Sequence, residues 1–591
     1  FNDFHGTLES PGTFGQNTGV PAASRPAVGG AEYLAAYVAA AKAANPNTVV
    51  VGAGDFIGAS PLVSALFFDE PAVESLNKIG VDFSSVGNHE FDKGKDELRR
   101  LQNGGCKLVA GVPDANSCRG YGSSAPGTFD GAKFKWLSAN VIDTATGRTL
   151  LPAYGIKSFG GVKVAFIGMT LKGTPGIVTP TGVAGLSFAD EAATVNALVP
   201  KLRAQGIESI VVLVHQGGFQ GSGNSDINGC VGNLAGSDIA TVVAGLDNAV
   251  DLVISGHTHA AYNCSANTVD NGSTPRATGL PNKAGRLVPV TSASAFGRVI
   301  TEVNLTVDSV SRDVTAVSPV NKLVDRTNAA MTAAITANPE VKTLVASYKT
   351  AVSPLANQVL GTITAAMTNS ANTAGEMEAG DLIADAQLAA TQPAALGGAV
   401  MAFMNAGGVR SPGFVNAAGS YPYNVSYGDA FTVQPFGNSL VTMTLTAQQI
   451  KDVLEQQFSG CLGQTAQRIM QISNGLKYKW SAAGTCGTRI TEVAFTPTDV
   501  TVVPPVATAA TEYIVLAGVV QNPTKTYRVT VNNFMATGGD GFTTLVGGTS
   551  QLGGAQDIDA LVAHLKTYQT AGAVVNPAAA VLGKPRISRL P

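Results

Sequence analysis

Charge is scarce in this chain. Charged residues fill 13% of its 591 positions, about half the usual share. The formal net charge is -3, so there is neither the basic field of a nucleic-acid binder nor an acidic tail. A nucleic-acid polymer is therefore not an expected partner. No apolar run is long enough to span a bilayer. The six cysteines (Cys106, Cys118, Cys230, Cys264, Cys461 and Cys486) include no CxxC pair, which argues against a thiolate zinc site. No fixed period repeats, which argues against a solenoid or propeller.

What is present suits a large globular protein. Hydrophobic residues make up 45% of the chain, and its length calls for two or three domains. The cysteines fall as three pairs of sequence neighbours in Gly/Asn/Ser-rich stretches. Local disulfides 106–118, 230–264 and 461–486 are expected, and with them an oxidising compartment: a secreted, periplasmic or cell-surface protein. The opening "FNDFHG" reads as the inner edge of a first strand, so a leader is expected to have been removed or left out. Asn304 and Asn424 begin Asn-X-Ser/Thr sequons.

The first half alternates strand and helix. "TVVVGAGDF", "DFSSVGNHEF", "VKVAFIGMT", "SIVVLVHQGG" and "DLVISGHTHA" are short and β-branched and run into glycine. "AEYLAAYVAAAKAAN" and "DEAATVNALVPKLRAQG" between them have helical periodicity. This is an α/β pattern. A helix over 329–349, ending near Pro354, marks the joint. Helices ("GDLIADAQLAAT", "TAQQIKDVLEQQF") and strands ("SLVTMTL", "YRVTVNNFM") follow in a second α/β domain. The expected divisions are 1–325, a linker helix 326–355, and 356–591.

Five of the six histidines stand at strand-end turns: His5 in "NDFHG", His89 in "GNHEFD", His215 in "VHQGG", His257 and His259 in "SGHTH". Groups at strand C-termini of an α/β sheet converge on one crevice. His564, in a helical stretch, is expected at the surface. Asp3 and His5 are two apart, so an extended strand turns both to one face, and His257 with His259 repeats that spacing. Asp55 ends another strand and Asn88 precedes His89. Asp3, His5, Asp55, Asn88, His215, His257 and His259 form a nitrogen/oxygen donor set without thiolate, too large for one tetrahedral ion. Two divalent ions sharing a carboxylate fit it. A pair about 3.5–4 Å apart is the usual apparatus for phosphate-ester hydrolysis. His89 then faces the phosphate, and Asp92, one helical turn on, holds its imidazole. Glu90 is expected to be solvated, with no role.

"NDFHG", "GDFIGAS", "GNHEFD", "VHQGG" and "SGHTH", in this order, resemble the metallophosphoesterase signature. The whole chain resembles the secreted 5′-nucleotidase family, which includes UDP-sugar hydrolases and 2′,3′-cyclic phosphodiesterase/3′-nucleotidases. The resemblance implies a four-layer α/β/β/α metallophosphoesterase domain, then a smaller α/β substrate-binding domain joined by a helix. It implies Asp3, His5, Asp55 and His259 at one ion and Asp55, Asn88, His215 and His257 at the other (zinc, manganese or similar), with His89 and Asp92 as catalytic dyad. Some members have Gln in place of His259.

The same resemblance places substrate residues in three later segments. "NAGGVR" supplies Asn405, Gly407, Gly408 and Arg410. "PFGN" supplies Phe436 and Asn438. "NNFMATGGDGF" supplies Phe534 and Asp540. Two phenylalanines can sandwich a base of any kind, Asp540 can accept both ribose hydroxyls, and Arg410 can pair with phosphate. Where relatives often carry further arginines, "SANTAGEMEAGDLIADAQ" has none and has Glu376 and Glu378 instead, so a strong second cationic clamp for multiply charged substrates, such as nucleoside di- and triphosphates, is not expected there. The implied activity is hydrolysis of nucleoside 5′-monophosphates by a metal-activated hydroxide, with the domains closing on the substrate. UDP-sugar hydrolysis and 2′,3′-cyclic-nucleotide/3′-nucleotidase activity are the alternatives within the family. A catalytically silent surface binding protein is the alternative outside it.

Overall fold

The computed structural model describes residues 1–14, 24–122, 125–178, 181–221, 226–265, 269–270, 274–275, 279–578 and 583–591. The chain divides into two compact units, Phe1–Val352 and Ser353–Pro591.

Two β-sheets form the middle of the first unit. The smaller has strands β1 (Val51–Ala53), β2 (Phe83–Ser85) and β3 (Lys135–Leu137), all parallel. Helix α1 (Ala31–Ala44) leads into β1, α2 (Glu70–Ile79) connects β1 to β2, and α3 (Lys95–Asn103) lies between β2 and β3. Gln102 on α3 pins that helix to β3: its Nε2 donates to Phe134 O and its Oε1 accepts from Trp136 N–H.

The larger sheet contains β4 (Tyr154–Phe159), β5 (Val162–Thr170), β6 (Ser209–His215), β7 (Leu252–Ser255), β8 (Ala261–Cys264) and β9 (Val290–Ala293), in the spatial order β8-β9-β7-β6-β5-β4. Its four central strands are parallel and the two edges antiparallel. The strand "SIVVLVH" has five consecutive apolar residues, Ile210–Val214, because both its faces are buried. Side chains alternate across a strand. Val211 and Leu213 therefore meet Ala53, Phe83 and Leu137 of the smaller sheet. Val212 and Val214 meet Val195, Val199, Leu202 and Val243, from α4 (Glu191–Arg203) and α5 (Asp238–Gly245). The order helix, sheet, sheet, helix is the expected four-layer arrangement.

The expected helix of 326–355 is two helices, α6 (Ala329–Ala337) and α7 (Glu340–Ala356). The break falls at Asn338–Pro339, because a proline cannot donate into the preceding turn. Pro354 lies inside α7 without ending it. Tyr348 of α7 is buried in the first unit, ring against Phe67 and Tyr121, its hydroxyl donating to Glu74.

The second unit contains α8 (Glu378–Thr391) and two five-stranded sheets. One is built on β10 (Met401–Met404) and β11 (Ser439–Thr446), followed by α9 (Ala447–Glu455). Thr446 and Gln449 start α9 with a reciprocal capping box. The last helix, α10 (Asp557–Thr570), carries His564. His564 is buried, 3% exposed, which corrects the surface expectation: it stands on the face of α10 that packs into the core with Ile558, Leu561 and Leu565. All three expected disulfides are formed, Cys106–Cys118, Cys230–Cys264 and Cys461–Cys486.

Candidate metal centre and nucleoside pocket

The turns that follow β1, β2, β6 and β7 lie at the C-terminal ends of parallel strands. They deliver Asp55, Asn88 with His89, His215, and His257 with His259 to one place. The N-terminal segment joins them through its backbone: Asp3 N–H donates to Gly54 O, His5 N–H to Asp55 O and Gly6 N–H to Phe56 O. One expectation fails here. Asp3 and His5 do not share a face of an extended strand, nor do His257 and His259. These four and Asp55 have φ between 48° and 72°, the left-handed region that non-glycine residues avoid. Such strain persists where surrounding bonds over-determine it.

The donor atoms fall into groups. Asp3, His5 and His259 form one, Asp55, His215 and His257 another, and His5, Asp55 and His89 a third between them. The first two contain the ligands expected for the two ions apart from Asn88 and the sharing of Asp55. Asp55 stands at the centre. Its Oδ1 accepts the His89 backbone N–H at 2.9 Å. Its Oδ2 lies 3.0 Å from His215 Nε2 and 3.7 Å from His5 Nε2. Asn88 Oδ1 is 3.1 Å from His215 Nε2.

The histidine tautomers test whether cations fit. His5 Nδ1–H donates to Gly58 O at 2.8 Å and His215 Nδ1–H to Ala53 O at 2.7 Å. Carbonyls only accept, so the neutral rings present lone pairs at Nε2. His5 Nε2 faces His259 Nε2 at 3.1 Å, and Asp3 Oδ1 is 3.5 Å from His259 Nε2. Acceptors converging on acceptors need a proton or a cation between them. The backbone bond at the far nitrogen is the usual device that orients a metal-binding imidazole. The residues present fit divalent ions.

Electrostatics agree. Burial pushes the Asp3 carboxyl up to about 7, against the pull of His215. Burial would raise Asp55 too, but His215 and His89 outweigh it and hold its carboxyl well below the usual range. Burial would lower His215, but the Asp55 charge raises it to about 9. Without another cation, His215 takes a proton to neutralise Asp55.

His89 Nδ1 and Asp92 Oδ2 are 2.8 Å apart, joined by a single 3-10 turn, His89–Phe91. Both are half-buried, as are His257 and His259, whereas Asp3, His5, Asp55 and His215 are fully enclosed. Gly58 must be glycine: it has φ 81°, and a Cβ there would lie 2.4 Å from His89 O and 2.9 Å from Asp92 Oδ2.

Glu90 is not solvated. It is 2% exposed and accepts the backbone N–H groups of Asp55, Phe56 and Gly87 at 3.0, 2.7 and 2.6 Å. Burial and the Asp55 charge push its carboxyl up to about 8, against those donors. Three donors facing inward give Glu90 the task of tying the β1 and β2 turns together. Asn2 was also missed: its Nδ2 donates to Asp3 Oδ2 and Ser294 O, and its Oδ1 accepts Ala293 N–H. Phe296 packs its ring against His5 and His259. Only the position of Asn2 and Glu90 inside "NDFHG" and "GNHEFD" could have signalled them.

In the second unit the expected substrate residues form two groups. Asn405 Nδ2 donates to Asp540 Oδ2 at 2.8 Å. Gly407 and Gly408 follow on the same turn, and Phe534 packs on Gly539 beside Asp540. The other group is Arg410, whose guanidinium lies 5.6 Å from the Phe436 ring centre and whose backbone N–H donates to Val433 O. Asn438 Nδ2 donates to Asp557 Oδ2 at the start of α10. Phe436 and Phe534 are both half-buried. Glu376 is buried; its Oε1 accepts the Arg586 backbone N–H.

Comparison with known proteins agrees with this architecture. Residues 1–261 match the calcineurin-like phosphoesterase family and residues 359–547 the 5′-nucleotidase C-terminal domain. The chain belongs to the 5′-nucleotidase family of metallophosphoesterases. It is 30% identical to the cell wall protein Lmo0130 of Listeria monocytogenes over 97% of its own length and 67% of that protein's. It is 30% identical to endonuclease YhcR of Bacillus subtilis over 91% of its length, but spans 37% of that protein. The crystal structure of a 5′-nucleotidase precursor from Thermus thermophilus superimposes with a TM-score of 0.71 at 25% identity, over 100% of this chain and 98% of that one. Among the described residues no helix is long and apolar enough to cross a membrane.

Proposed function

We propose that this chain is a di-metal phosphohydrolase that releases inorganic phosphate from nucleoside 5′-monophosphates outside the cytoplasm. The observation that carries the reading is the His89–Asp92 pair at 2.8 Å, held by the His89 backbone against the Asp55 carboxylate. That carboxylate lies within reach of both groups of imidazole lone pairs. Likeness to the Thermus 5′-nucleotidase precursor supports the substrate class, and likeness to a cell wall protein, with three disulfides, supports the location.

Asp3, His5, Asp55 and His259 hold one divalent cation. Asp55, Asn88, His215 and His257 would hold the other, with Asp55 common to both sets. When bound, such a pair supplies Lewis-acid polarisation of the phosphoryl group and activates a water. The chain's own groups do the rest. Asp92 orients the His89 ring and offsets its charge when Nε2 carries a proton, so that His89 can donate toward the leaving ester oxygen. Phe436 and Phe534 stack on the base, Asp540 accepts from the ribose, and Arg410 pairs with the phosphate. Asn405, Gly407 and Gly408 shape the ribose edge, and Asn438 holds the Phe436 loop to α10.

The test is phosphate release from AMP, UDP-glucose, 3′-AMP and 2′,3′-cyclic AMP, with manganese or zinc and again with a chelator. AMP is expected to be hydrolysed fastest, and the chelator to abolish turnover. A faster reaction with UDP-glucose or the cyclic nucleotide would reassign the substrate, and silence toward all four would leave a binding protein.

A further inference from the structure

The ribose end of the pocket contains a cation that sequence reading did not place. Arg468 Nη1 donates to Asp540 Oδ1 at 2.9 Å, while Asn405 Nδ2 occupies Oδ2. Asn405 is in turn held by Asn532, whose Nδ2 donates to Asn405 Oδ1 at 3.0 Å, and Gln464 Nε2 donates to the Asp540 carbonyl at 2.9 Å. Asp540 itself sits at φ 56°. This is a fixed carboxylate whose charge is matched before any ligand arrives.

The arrangement exceeds what a ribose diol needs. Two hydroxyls need acceptors, and an unpaired carboxylate would serve them. A guanidinium beside it has another use. It offers five N–H donors. Among the described residues Arg468 uses Nη1 alone; its Nε is buried without a partner, so Nη1 and Nη2 carry the donors open to a ligand. The Arg468 side chain is 33% exposed where Asp540 is 9% exposed, so the cation lies nearer solvent than the carboxylate. Gly407 is exposed, and a Cβ there would stand 3.5 Å from Asp540 Oδ2, so the glycine leaves that edge clear.

We propose that Arg468, backed by Asp540, is a subsite for a second phosphate on the ribose. Its substrates are nucleoside 5′-monophosphates that also carry a phosphoryl group on the 3′ or 2′ oxygen. The inference rests on the 5′-nucleotidase reading and extends its substrate class. The reaction is the same hydrolysis: the bond from phosphorus to the 5′ oxygen breaks, the oxygen of water bonds to phosphorus, and a proton passes to the 5′ oxygen. The second phosphate stays on the product. Arg468 pairs with it through the Nη donors that Asp540 leaves free, and its charge offsets that of Asp540.

The experiment measures kcat/KM of the full chain with manganese on AMP, adenosine 3′,5′-bisphosphate, adenosine 2′,5′-bisphosphate and 3′-O-methyl-AMP. For the wild type, at least one bisphosphate is expected to exceed the 3′-O-methyl compound by about tenfold or more, the worth of one charged contact. The position preferred tells the 3′ from the 2′ subsite. Arg468→Gln should lower the ratio of that bisphosphate to AMP by about tenfold, and Arg468→Lys should restore part of it. An unchanged ratio in Arg468→Gln means that Arg468 only orients Asp540, and overturns the proposal. So does a wild type that prefers the methyl ether to both bisphosphates, whether or not the variants fold. AMP hydrolysis with either unfavourable result overturns this inference alone. No release from AMP or the bisphosphates overturns the 5′-nucleotidase reading with it.

Discussion

Asp55 shows how much one side chain is asked to do. One oxygen is fixed by a backbone N–H, which aims the other between His215 and His5. Asp55→Ala should therefore lose metal, measured as bound zinc or manganese per chain after dialysis; full stoichiometry would contradict the shared role. His89 is different, since its side chain stands at the opening and not in either of the two ligand groups. His89→Ala should keep both ions and lose turnover by on the order of a hundredfold or more, the scale of general acid–base catalysis. Normal turnover would remove the dyad from the mechanism. Glu90→Ala leaves three buried N–H groups without partners, at roughly 1–3 kcal/mol each. A clear drop in melting temperature and weaker metal binding are expected, and a variant with native melting and native affinity would show that Glu90 does not tie the two turns.

At the scale of elements, the segment leading into the C-terminal strand (Ile587–Leu590) and helix α8 share a buried charge cluster. Arg586, 1% exposed, is bidentate to Asp385 of α8 at 2.8 and 2.7 Å, and its backbone N–H donates to Glu376. Arg586→Met leaves Asp385 buried and unpaired, at roughly 3–5 kcal/mol, readable as a lower denaturant midpoint of the second unit. His564 on α10 lies in the same region. Burial lowers its pKa below 6.5, with Arg586 acting in the same sense and Asp385 against. The unfolded chain then binds a proton that the native state refuses. Stability is complete above about pH 6.5 and falls as pH drops through it, with a slope of up to about 1.4 kcal/mol per pH unit. His564→Gln should flatten this fall between pH 6.5 and 5 in melting experiments. An unaltered profile would mean that other groups set the acid limb.

For the whole molecule, the proposed metal ligands lie in one unit and the proposed nucleoside residues in the other. Ions that bind only the native state stabilise the unit that holds them. Calorimetry is expected to resolve two transitions, and a chelator should lower only that of Phe1–Val352. A shift of both, or of neither, would contradict this assignment.

The sequence by itself determined the layered α/β fold and named the histidines and carboxylates that the candidate metal centre gathers. Apolar strands ending in glycine turns announce parallel strands, and histidines at such ends announce a shared crevice; the structure draws them from the strand ends of two facing sheets, and His5 from the N-terminal segment beside them. The disulfides were legible because their partners are sequence neighbours. Tertiary structure decided the rest. Glu90, His564 and Arg468 are polar residues in polar-looking segments, and nothing local shows which face the fold buries. Whether a carboxylate is solvated, grips three amides or is already paired depends on atoms brought from distant positions. The left-handed backbone at Asp3, His5, His257 and His259 has the same origin: local preference opposes it, and only the bonds of the assembled site hold it.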